Sequence, residues 1–163
     1  MGKNNIEIVP ADFNNDEHKK AIPFLLNEYA KNLLGLQKEI DRRVLAELVP
    51  GLEKFPGAVV LLAKTAEHYA GMAICFVGFS TFKAQPLINI HDFMVVGEYR
   101  NQGIGHAILL KIEAMAREMG CCKVTLEVQE NNTGARRLYR SFGFSDSFLE
   151  DEAGGHLSLT KLL

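Results

Sequence analysis

The spacing of apolar residues along the chain predicts four amphipathic helices and seven short strands. Apolar positions recur every third or fourth residue in the helical segments, and they alternate or run together in the strand segments. The first predicted helix has apolar positions from Ile22 to Leu33. The other three are predicted over Glu39–Phe55, Gly103–Met119 and Thr133–Phe142. The strands are Ile6–Pro10, Gly57–Thr65, Tyr69–Phe82, Ile88–Val96, Cys122–Val128, Phe144–Leu149 and His156–Leu162. The order β-α-α-β-β-β-α-β-α-β-β is typical of an α+β domain.

Local signals set the expected ends and faces of these helices. Asn14, Asn15 or Asp16 is expected to cap the first helix. Pro23 is expected to disturb the first helix or to lie in an early turn, and Pro50-Gly51 is expected to break the second one early. The third helix is expected to bury Ile104, Ile108, Ile112, Met115 and Met119, and to expose Lys111, Glu113, Arg117 and Glu118.

Composition narrows the class of protein. A chain of 163 residues with 47% hydrophobic and 23% charged residues suits one globular domain over 1–163. A formal net charge of −2 gives no positive field to hold a nucleic acid. No apolar run reaches membrane-spanning length, and residues 1–5 lack the apolar region of a signal peptide. Three cysteines without metal spacing favour reduced thiols in a cytoplasmic protein and no metal site.

The segment from Tyr99 to His106 has the features of a phosphate-binding loop. It joins an apolar strand to an amphipathic helix, where unpaired backbone N–H groups and the helix dipole favour an anion. Gly103 and Gly105 leave the backbone open to a bulky anion, and Arg100 can add a charged hydrogen bond. The segment does not fit G-x-x-x-x-G-K-[ST], and Ile108 stands where a dinucleotide fingerprint needs its third glycine.

Two motifs in the same order resemble those of the GCN5-related N-acetyltransferases (GNAT). The first is [R/Q]-x-x-G-x-[G/A], filled by Arg100, Gly103 and Gly105. The second is N-x-x-A-x-x-L-Y-x-x-x-G-F, and six residues fall on it: Asn132, Ala135, Leu138, Tyr139, Gly143 and Phe144. One helix and one strand separate the two motifs, and the resemblance covers residues 88–144 closely.

The resemblance implies a fold and a co-substrate. The fold is the acyl-CoA N-acyltransferase fold, in which helices cover both faces of a mixed, mostly antiparallel sheet of six to seven strands. The co-substrate is acetyl-CoA, whose pantetheine arm pairs with the fourth strand where the fourth and fifth strands separate. The implied contacts are Phe93, Met94, Val95, Arg100, Asn101, Gln102, Gly103, Ile104, Gly105, His106, Asn132, Ala135 and Tyr139.

The resemblance also implies direct transfer of an acetyl group to an amine, and it marks the catalytic positions. Tyr139 stands at the general-acid position, and a free backbone N–H near Val95 is the expected oxyanion donor. Family members often place a Glu on the fourth strand as the base, where this chain has His91-Asp92. Because adjacent strand residues point to opposite faces, only one of these two is expected to reach the cleft. His91 suits a base by its ordinary pKa, whereas Asp92 needs a raised pKa or a water relay.

The amine acceptor stays open at this stage. Glu150-Asp151-Glu152 either attracts a cationic amine or forms a solvated turn. Arg136, Arg137 and Arg140 either contact the coenzyme's phosphates or form a solvated helix face. The acceptor is expected to be a small-molecule, protein or peptide amine. The alternative function is a non-catalytic module that binds or senses acyl-CoA, and a homodimer through the C-terminal strands is compatible with the apolar residues there.

Overall fold

Five strands and four α-helices make up the computed structural model, which describes residues 6–32, 35–145 and 161. The strands are β1 (Glu7–Pro10), β2 (Ala58–Lys64), β3 (Tyr69–Ser80), β4 (Gln85–Val95) and β5 (Val124–Leu126). The helices are α1 (Asp16–Lys31), α2 (Arg42–Lys54), α3 (Ile104–Glu118) and α4 (Thr133–Ser141), and a 3-10 turn covers Gly97–Tyr99. The predicted order of elements is confirmed as far as residue 142.

The strands form one mixed sheet in the order β1-β2-β3-β4-β5. The first four strands pair antiparallel, and β5 pairs with β4 in parallel. The α+β class and the mixed, mostly antiparallel sheet are therefore confirmed. The two C-terminal strands expected in 144–149 and 156–162 fall largely outside the described residues, and the described part contains five strands of the six to seven expected.

The sheet separates two layers of helices because successive strand residues point to opposite faces. The α1–α2 layer packs on one face, and its fully buried side chains are Ile22, Leu25, Leu62 and Met72. The α3–α4 layer packs on the other, with Leu61, Ile88, Ile104, Ile108 and Leu109 fully buried. Burial of each large apolar side chain contributes about 1.5–3 kcal/mol, so the two layers fix the sheet between them.

Three of the four helices begin with a side-chain cap. The Oδ1 atom of Asn15 accepts a hydrogen bond from the Glu17 N–H at 2.9 Å, which confirms one of the expected caps. Asp41 caps α2, and Asn132 caps α4. Helix α3 begins after Gly103, which provides no side-chain hydrogen bond, so the first turn of this helix keeps its backbone N–H groups free of a cap.

Several expected boundaries were wrong. Helix α2 begins at Arg42 rather than Glu39, because Asp41 provides its cap, and it continues through Pro50 to Lys54. Packing of Val49 and Leu52 against the sheet offsets the hydrogen bond that Pro50 removes. Met119 is 42% exposed rather than buried, since α3 ends at Glu118 and the chain then leaves the helical stripe.

The remaining expectations concern the length of β5, the exposed side of α3 and the turn between β2 and β3. Strand β5 is three residues long, shorter than the predicted 122–128. Lys111 and Glu113 are half-buried, whereas Arg117 and Glu118 are exposed as expected. The expected turn between β2 and β3 is confirmed by the Thr65 N–H, which donates to the His68 carbonyl at 2.8 Å. Among the described residues, no helix is both long enough and apolar enough to cross a membrane.

Candidate active site

The sheet opens at the C-terminal end of β4. Strand β5 pairs only with Ile88–Ile90, where Ile90 lies opposite Leu126. Strand β4 continues to Val95 and keeps its pairing with β3 on the other side, where Val95 lies opposite Gly71. Residues 91–95 therefore have a strand neighbour on one side only within the described part of the chain. This is the separation of the fourth and fifth strands that the sequence resemblance implied.

The hydrogen-bonding pattern shows which backbone groups face the opening. The Val96 N–H donates to the Ala70 carbonyl at 2.9 Å, toward β3. Because backbone groups alternate in direction along an antiparallel strand, Met94 also bonds toward β3. The N–H and C=O groups of Phe93 and Val95 point the other way, into the opening. The Met94 side chain is 5% exposed and packs in the α1–α2 layer.

The loop after β4 is tied to the strand that precedes it. Arg100 Nε donates to the Val95 carbonyl at 3.0 Å, and Gln102 Nε2 donates to the Glu98 carbonyl at 2.9 Å. Asn101 has φ 61° and Gly103 has φ 83°, so two left-handed residues turn the chain into α3. A Cβ built on Gly103 would meet no atom within 4 Å. The loop thus presents bare backbone to open space at the uncapped end of α3.

The second glycine of the loop lies close to helix α4. A Cβ on Gly105 would lie 2.8 Å from Leu138 Cδ2, a side-chain atom of α4. Gly105 therefore allows α4 to pack closely on α3, and the idea that it opens the backbone to an anion finds no support in this contact. Ile104 is 1% exposed and anchors the first turn of α3 in the core. The His106 ring packs edge-on against Phe142, with centroids 5.2 Å apart.

Helix α4 positions Tyr139 beside the opening. The Asn132 Oδ1 atom accepts from the Ala135 N–H at 3.2 Å, which fixes the start of the helix. One turn later, the Tyr139 ring contacts Phe93 edge-on with centroids 5.7 Å apart. Tyr139 is 7% exposed, and burial, with a contribution from Tyr29, raises the pKa of its phenol. The phenol therefore keeps its proton at neutral pH.

A β-bulge changes where His91 and Asp92 point. Ile74 lies opposite Asp92 and Cys75 lies opposite Ile90, so His91 is the extra residue on β4. The expectation that adjacent residues face opposite sides was wrong here, because a bulge adds one residue and breaks the alternation. His91 packs edge-on against Phe76 at 5.4 Å, and Asp92 lies opposite Ile74. Both partners belong to the α1–α2 layer, so both side chains are on that face.

Asp92 and His91 differ in their surroundings. His91 is exposed and Asp92 is half-buried. Burial raises the pKa of the Asp92 carboxyl, and the neighbouring His91 opposes this in part. A carboxyl with a raised pKa is a better base than an ordinary aspartate, which is the property that the sequence reasoning required of it.

Tyr29 is a residue of this region that the sequence did not mark as a site residue, since it falls among the apolar positions from Ile22 to Leu33. It is half-buried on α1, and burial together with the Asp92 carboxylate raises the pKa of its phenol. Tyr29 in turn contributes to the raised pKa of Tyr139. Tyr29 on α1 therefore interacts electrostatically with Asp92 on β4 and with Tyr139 on α4. The sequence signal was a tyrosine within the apolar stripe of α1.

The metal-binding and nucleophilic side chains among the described residues give little support for a different reaction. Within the described residues, no three His, Cys, Asp or Glu side chains are grouped so as to hold a metal ion. Cys75 is buried, and burial raises the pKa of its thiol to about 12, which makes it a poor nucleophile. A groove of about 800 Å³ lies between β5, α3 and α4 with Tyr139 on its wall.

The separated strands, the uncapped helix after an Arg–Gly loop and the buried tyrosine are features of acyltransferases that use coenzyme A thioesters. Residues 22–144 match the family model of the acetyltransferase (GNAT) family. The match covers most of the chain, which therefore belongs to the GNAT family.

A curated relative shares sequence with part of the chain. The chain is 35% identical over 86 residues to thialysine N-epsilon-acetyltransferase of Bos taurus. The match covers 53% of this chain and 49% of the relative. The chain thus spans about half the length of that relative.

Solved structures share the fold at low sequence identity. A probable acetyltransferase aligns with a TM-score of 0.79 and 21% identity, covering 96% of this chain and 98% of the other. An aminoglycoside acetyltransferase from an uncultured soil metagenomic sample aligns with a TM-score of 0.75 and 17% identity, covering 95% of this chain and 97% of the other. At this identity the similarity establishes the fold alone.

Proposed function

We propose that the chain transfers an acetyl group from acetyl-CoA to a primary amine of a small molecule or peptide. The observation that carries the proposal is the opening beside β4, where the backbone groups of Phe93 and Val95 point away from β3 directly before the Arg100–His106 loop, which is tied to the Val95 carbonyl by Arg100. Acetyl-CoA combines an extended amide arm with a pyrophosphate, so one molecule can satisfy both features. The relative's name, thialysine N-epsilon-acetyltransferase, supports an amine acceptor.

The loop and α3 would bind the pyrophosphate of the coenzyme. The open space at Gly103 admits phosphate oxygens to the first N–H groups of α3, which no side chain caps. Arg100, Asn101, Gln102 and His106 are exposed around this point and add polar groups. Ile104 and Gly105 hold the helix end in place. Asn132 keeps its amide N–H₂ group available to the arm, because its Oδ1 atom caps Ala135.

The strand opening would hold the reacting thioester. The pantetheine amides pair with the exposed edge of β4 as an added strand does. The Val95 N–H points into the opening and is the proposed donor to the oxyanion that forms when the amine attacks the thioester carbonyl. Loss of one such donor typically slows acyl transfer by about 10²–10³-fold.

Asp92 is the proposed base. A primary amine with a pKa of about 10 arrives protonated and attacks only after it loses a proton. The half-buried Asp92 carboxyl faces the α1–α2 side, and its raised pKa suits it to accept that proton directly or through water. His91 lies on the same face and is the second candidate. Tyr29 lines the same region as a polar neighbour of Asp92.

Tyr139 is the proposed partner of the departing sulfur. The nitrogen forms its bond to the carbonyl carbon, the carbon–sulfur bond breaks, and the coenzyme leaves as a thiolate. A thiol has a pKa of about 8.5, below that of an ordinary phenol, so a hydrogen bond from Tyr139 stabilises the thiolate while solvent supplies the final proton. The raised pKa keeps the Tyr139 phenol protonated for this purpose.

Isothermal titration with acetyl-CoA tests the binding part of the proposal. We expect acetyl-CoA to bind, NADH not to bind, and Gly103→Glu to abolish acetyl-CoA binding, because a carboxylate side chain would occupy the open space meant for phosphate. Absence of acetyl-CoA binding to the unaltered chain would overturn the proposal.

A non-catalytic acyl-CoA-binding module is the second candidate. It is favoured by one observation, namely that His91-Asp92 stands where family members often have Glu. Such a module would bind acetyl-CoA and release no thiol when amines are added. Amine-dependent thiol release therefore separates the two candidates.

A further inference from the structure

Gly71 lies where the first turns of α3 meet the sheet. It is buried on β3, in register with Val95 on β4. A Cβ built on Gly71 would lie 2.9 Å from the Met94 carbonyl oxygen. It would also lie 3.3 Å from Ile104 Cγ2 and 3.4 Å from Ile108 Cδ1. Because even C–H···O contacts have C···O distances of about 3.3 Å or more, a side chain at this position would displace the open strand or α3.

The side chains of β3 that face α3 become smaller toward the opening of the sheet. Val77, Cys75 and Ala73 pack with the α3–α4 layer, and Gly71 follows them in the alternation of the strand. Because the two layers are closely packed, a smaller side chain on the sheet lets the helix above it lie closer. The series therefore allows the N-terminal end of α3 to lie close to the sheet, whereas larger side chains separate the layers further along β3.

The close contact at Gly71 joins the two parts of the site that one coenzyme must reach. On the strand side, the Val96 N–H donates to the Ala70 carbonyl at 2.9 Å, which holds the open end of β4 against β3. On the helix side, Ile104 is 1% exposed and Ile108 is fully buried, so neither side chain can turn away from an added Cβ. A side chain at residue 71 would therefore shift α3 relative to β4.

We infer that Gly71 is a positioning residue for acetyl-CoA, because it sets the distance between the uncapped end of α3 and the open edge of β4. The inference rests on the proposed function. When two parts of one ligand bind two surfaces, the affinity for the whole ligand depends on how well its length matches the separation of those surfaces. A shift of α3 would leave each surface intact and change only their separation. Gly71 is buried, so it acts through the β4 backbone and the first turns of α3.

Binding of the whole coenzyme and of its two halves tests the inference. 3′-Phosphoadenosine 5′-diphosphate carries the phosphates for the loop, and S-acetylpantetheine carries the amide arm and the thioester. We expect Gly71→Ala to weaken acetyl-CoA binding by about tenfold in calorimetry, because a misplacement of about 1 Å can cost about 10²-fold and a smaller shift is needed here. The affinity for each half should change by less than about twofold, since each half needs only one surface.

Two further variants on β3 complete the test. Gly78→Ala is the matched control, because Gly78 is exposed and its Cβ would meet Leu87 Cδ1 at 3.4 Å, an ordinary contact. It should bind acetyl-CoA and both halves as the unaltered chain does. Ala73→Cys adds one atom on the face of β3 that Gly71 shares, and it serves if Gly71→Ala does not fold. It should lower the affinity for acetyl-CoA more than the affinity for either half.

The outcomes separate this inference from the proposed function. Unchanged acetyl-CoA affinity in Gly71→Ala, or a loss of affinity for the halves as large as that for the whole coenzyme, overturns the positioning role while acetyl transfer stands. Equal losses of acetyl-CoA affinity in Gly71→Ala and Gly78→Ala overturn it too, because the close contact is absent at Gly78. Failure of the unaltered chain to bind acetyl-CoA overturns the proposed function and the positioning role together.

Discussion

Arg100 turns back to the strand that precedes it and donates from Nε to the Val95 carbonyl at 3.0 Å. This hydrogen bond joins the phosphate-type loop to the open edge of β4. Val95 is also the residue whose N–H points into the opening. One arginine therefore links the proposed pyrophosphate site to the proposed oxyanion donor, and its remaining guanidinium N–H groups can contact phosphate.

Replacement of Arg100 by lysine tests this link. Lysine keeps the charge but has no Nε group that can hold the Val95 carbonyl while a second donor contacts phosphate. We expect Arg100→Lys to weaken acetyl-CoA binding by about tenfold, which corresponds to one lost charged hydrogen bond. Arg117→Lys is the matched control, because Arg117 pairs with Glu113 on the exposed side of α3. Equal dissociation constants for the two variants would refute the link.

Gly103 combines a left-handed backbone with open space above it. Gly103→Ala is expected to lower stability by about 1–2 kcal/mol, because a Cβ disfavours that conformation, and also to weaken acetyl-CoA binding. Gly120→Ala is the matched control, since Gly120 has φ 66°, has open space, and follows the other end of α3. It should lose similar stability in chemical denaturation and bind acetyl-CoA normally in calorimetry. Weakened binding in both variants would point to a general effect on α3.

Gly105 determines how closely α4 approaches α3. Gly105→Ala places a Cβ against Leu138 and is expected to displace the helix that carries Tyr139. We expect kcat to fall by about tenfold, as displacement of a reacting group does, with a smaller change in acetyl-CoA affinity. Leu138→Ala removes the clash. The free energy of unfolding of the double variant should therefore be higher than the sum of the two single effects predicts. Strict additivity in a double-mutant cycle would argue against this contact.

Substitution of Asp92 is expected to lower activity and to raise stability. Asp92→Asn removes the proposed base and should lower kcat/KM by about 10²–10⁴-fold at neutral pH. Because burial raises the pKa of Asp92, the stability of the folded chain falls as the pH rises from the ordinary carboxyl pKa through that raised pKa. Asp92→Asn should therefore raise Tm at pH 7 and give no gain below about pH 3.9, where the carboxyl is protonated in both states.

The pH profile and a neighbouring variant separate the two base candidates. With Asp92 as base, kcat/KM falls as the pH drops through its raised pKa, and His91→Ala causes the smaller loss of kcat/KM. A larger loss in His91→Ala would move the role to His91. If neither substitution lowers kcat/KM at neutral pH, both assignments are wrong.

Tyr139→Phe removes only the phenol oxygen and keeps the ring that contacts Phe93 and Phe144. We expect kcat to fall by about 10–10³-fold, with Tm within a few degrees of the unaltered chain, because the packing is retained. An acetyl thioester with a more acidic thiol is the informative probe, because a better leaving group depends less on a hydrogen bond to the departing sulfur. Such a thioester should narrow the gap between the two proteins, and an unchanged gap would contradict a role at the sulfur.

Sequence periodicity was sufficient for most of the fold. The helical stripes of α1 and α3 and the run of strands β2 to β4 follow directly from the period of their apolar residues. The Arg100–Gly105 loop was also identified, because a second motif from Asn132 to Phe144 follows it in the expected order; the glycine-rich strand-to-helix turn alone is a weak signal. The ends of α2 and β5 were less certain, since caps and pairing partners determine where an element stops.

The arrangement of side chains around the site depended on features that periodicity does not specify. The bulge at His91 was visible in principle, because apolar residues at Ile88 and Ile90 resume at Phe93 and Val95 with one extra residue between them. The contact of Gly105 with Leu138 and the proximity of Tyr29 to Asp92 depend on how helices pack. No local pattern encodes such contacts between elements that are distant in sequence.

The most direct test of the central claim is amine-dependent release of coenzyme A thiol from acetyl-CoA, measured together with the acetylated amine. The account predicts that both products form in equal amounts, that thiol release needs the amine, and that Asp92→Asn and Tyr139→Phe slow it. Thiol release that does not depend on the amine, or binding of acetyl-CoA without any release, would contradict transfer at this site.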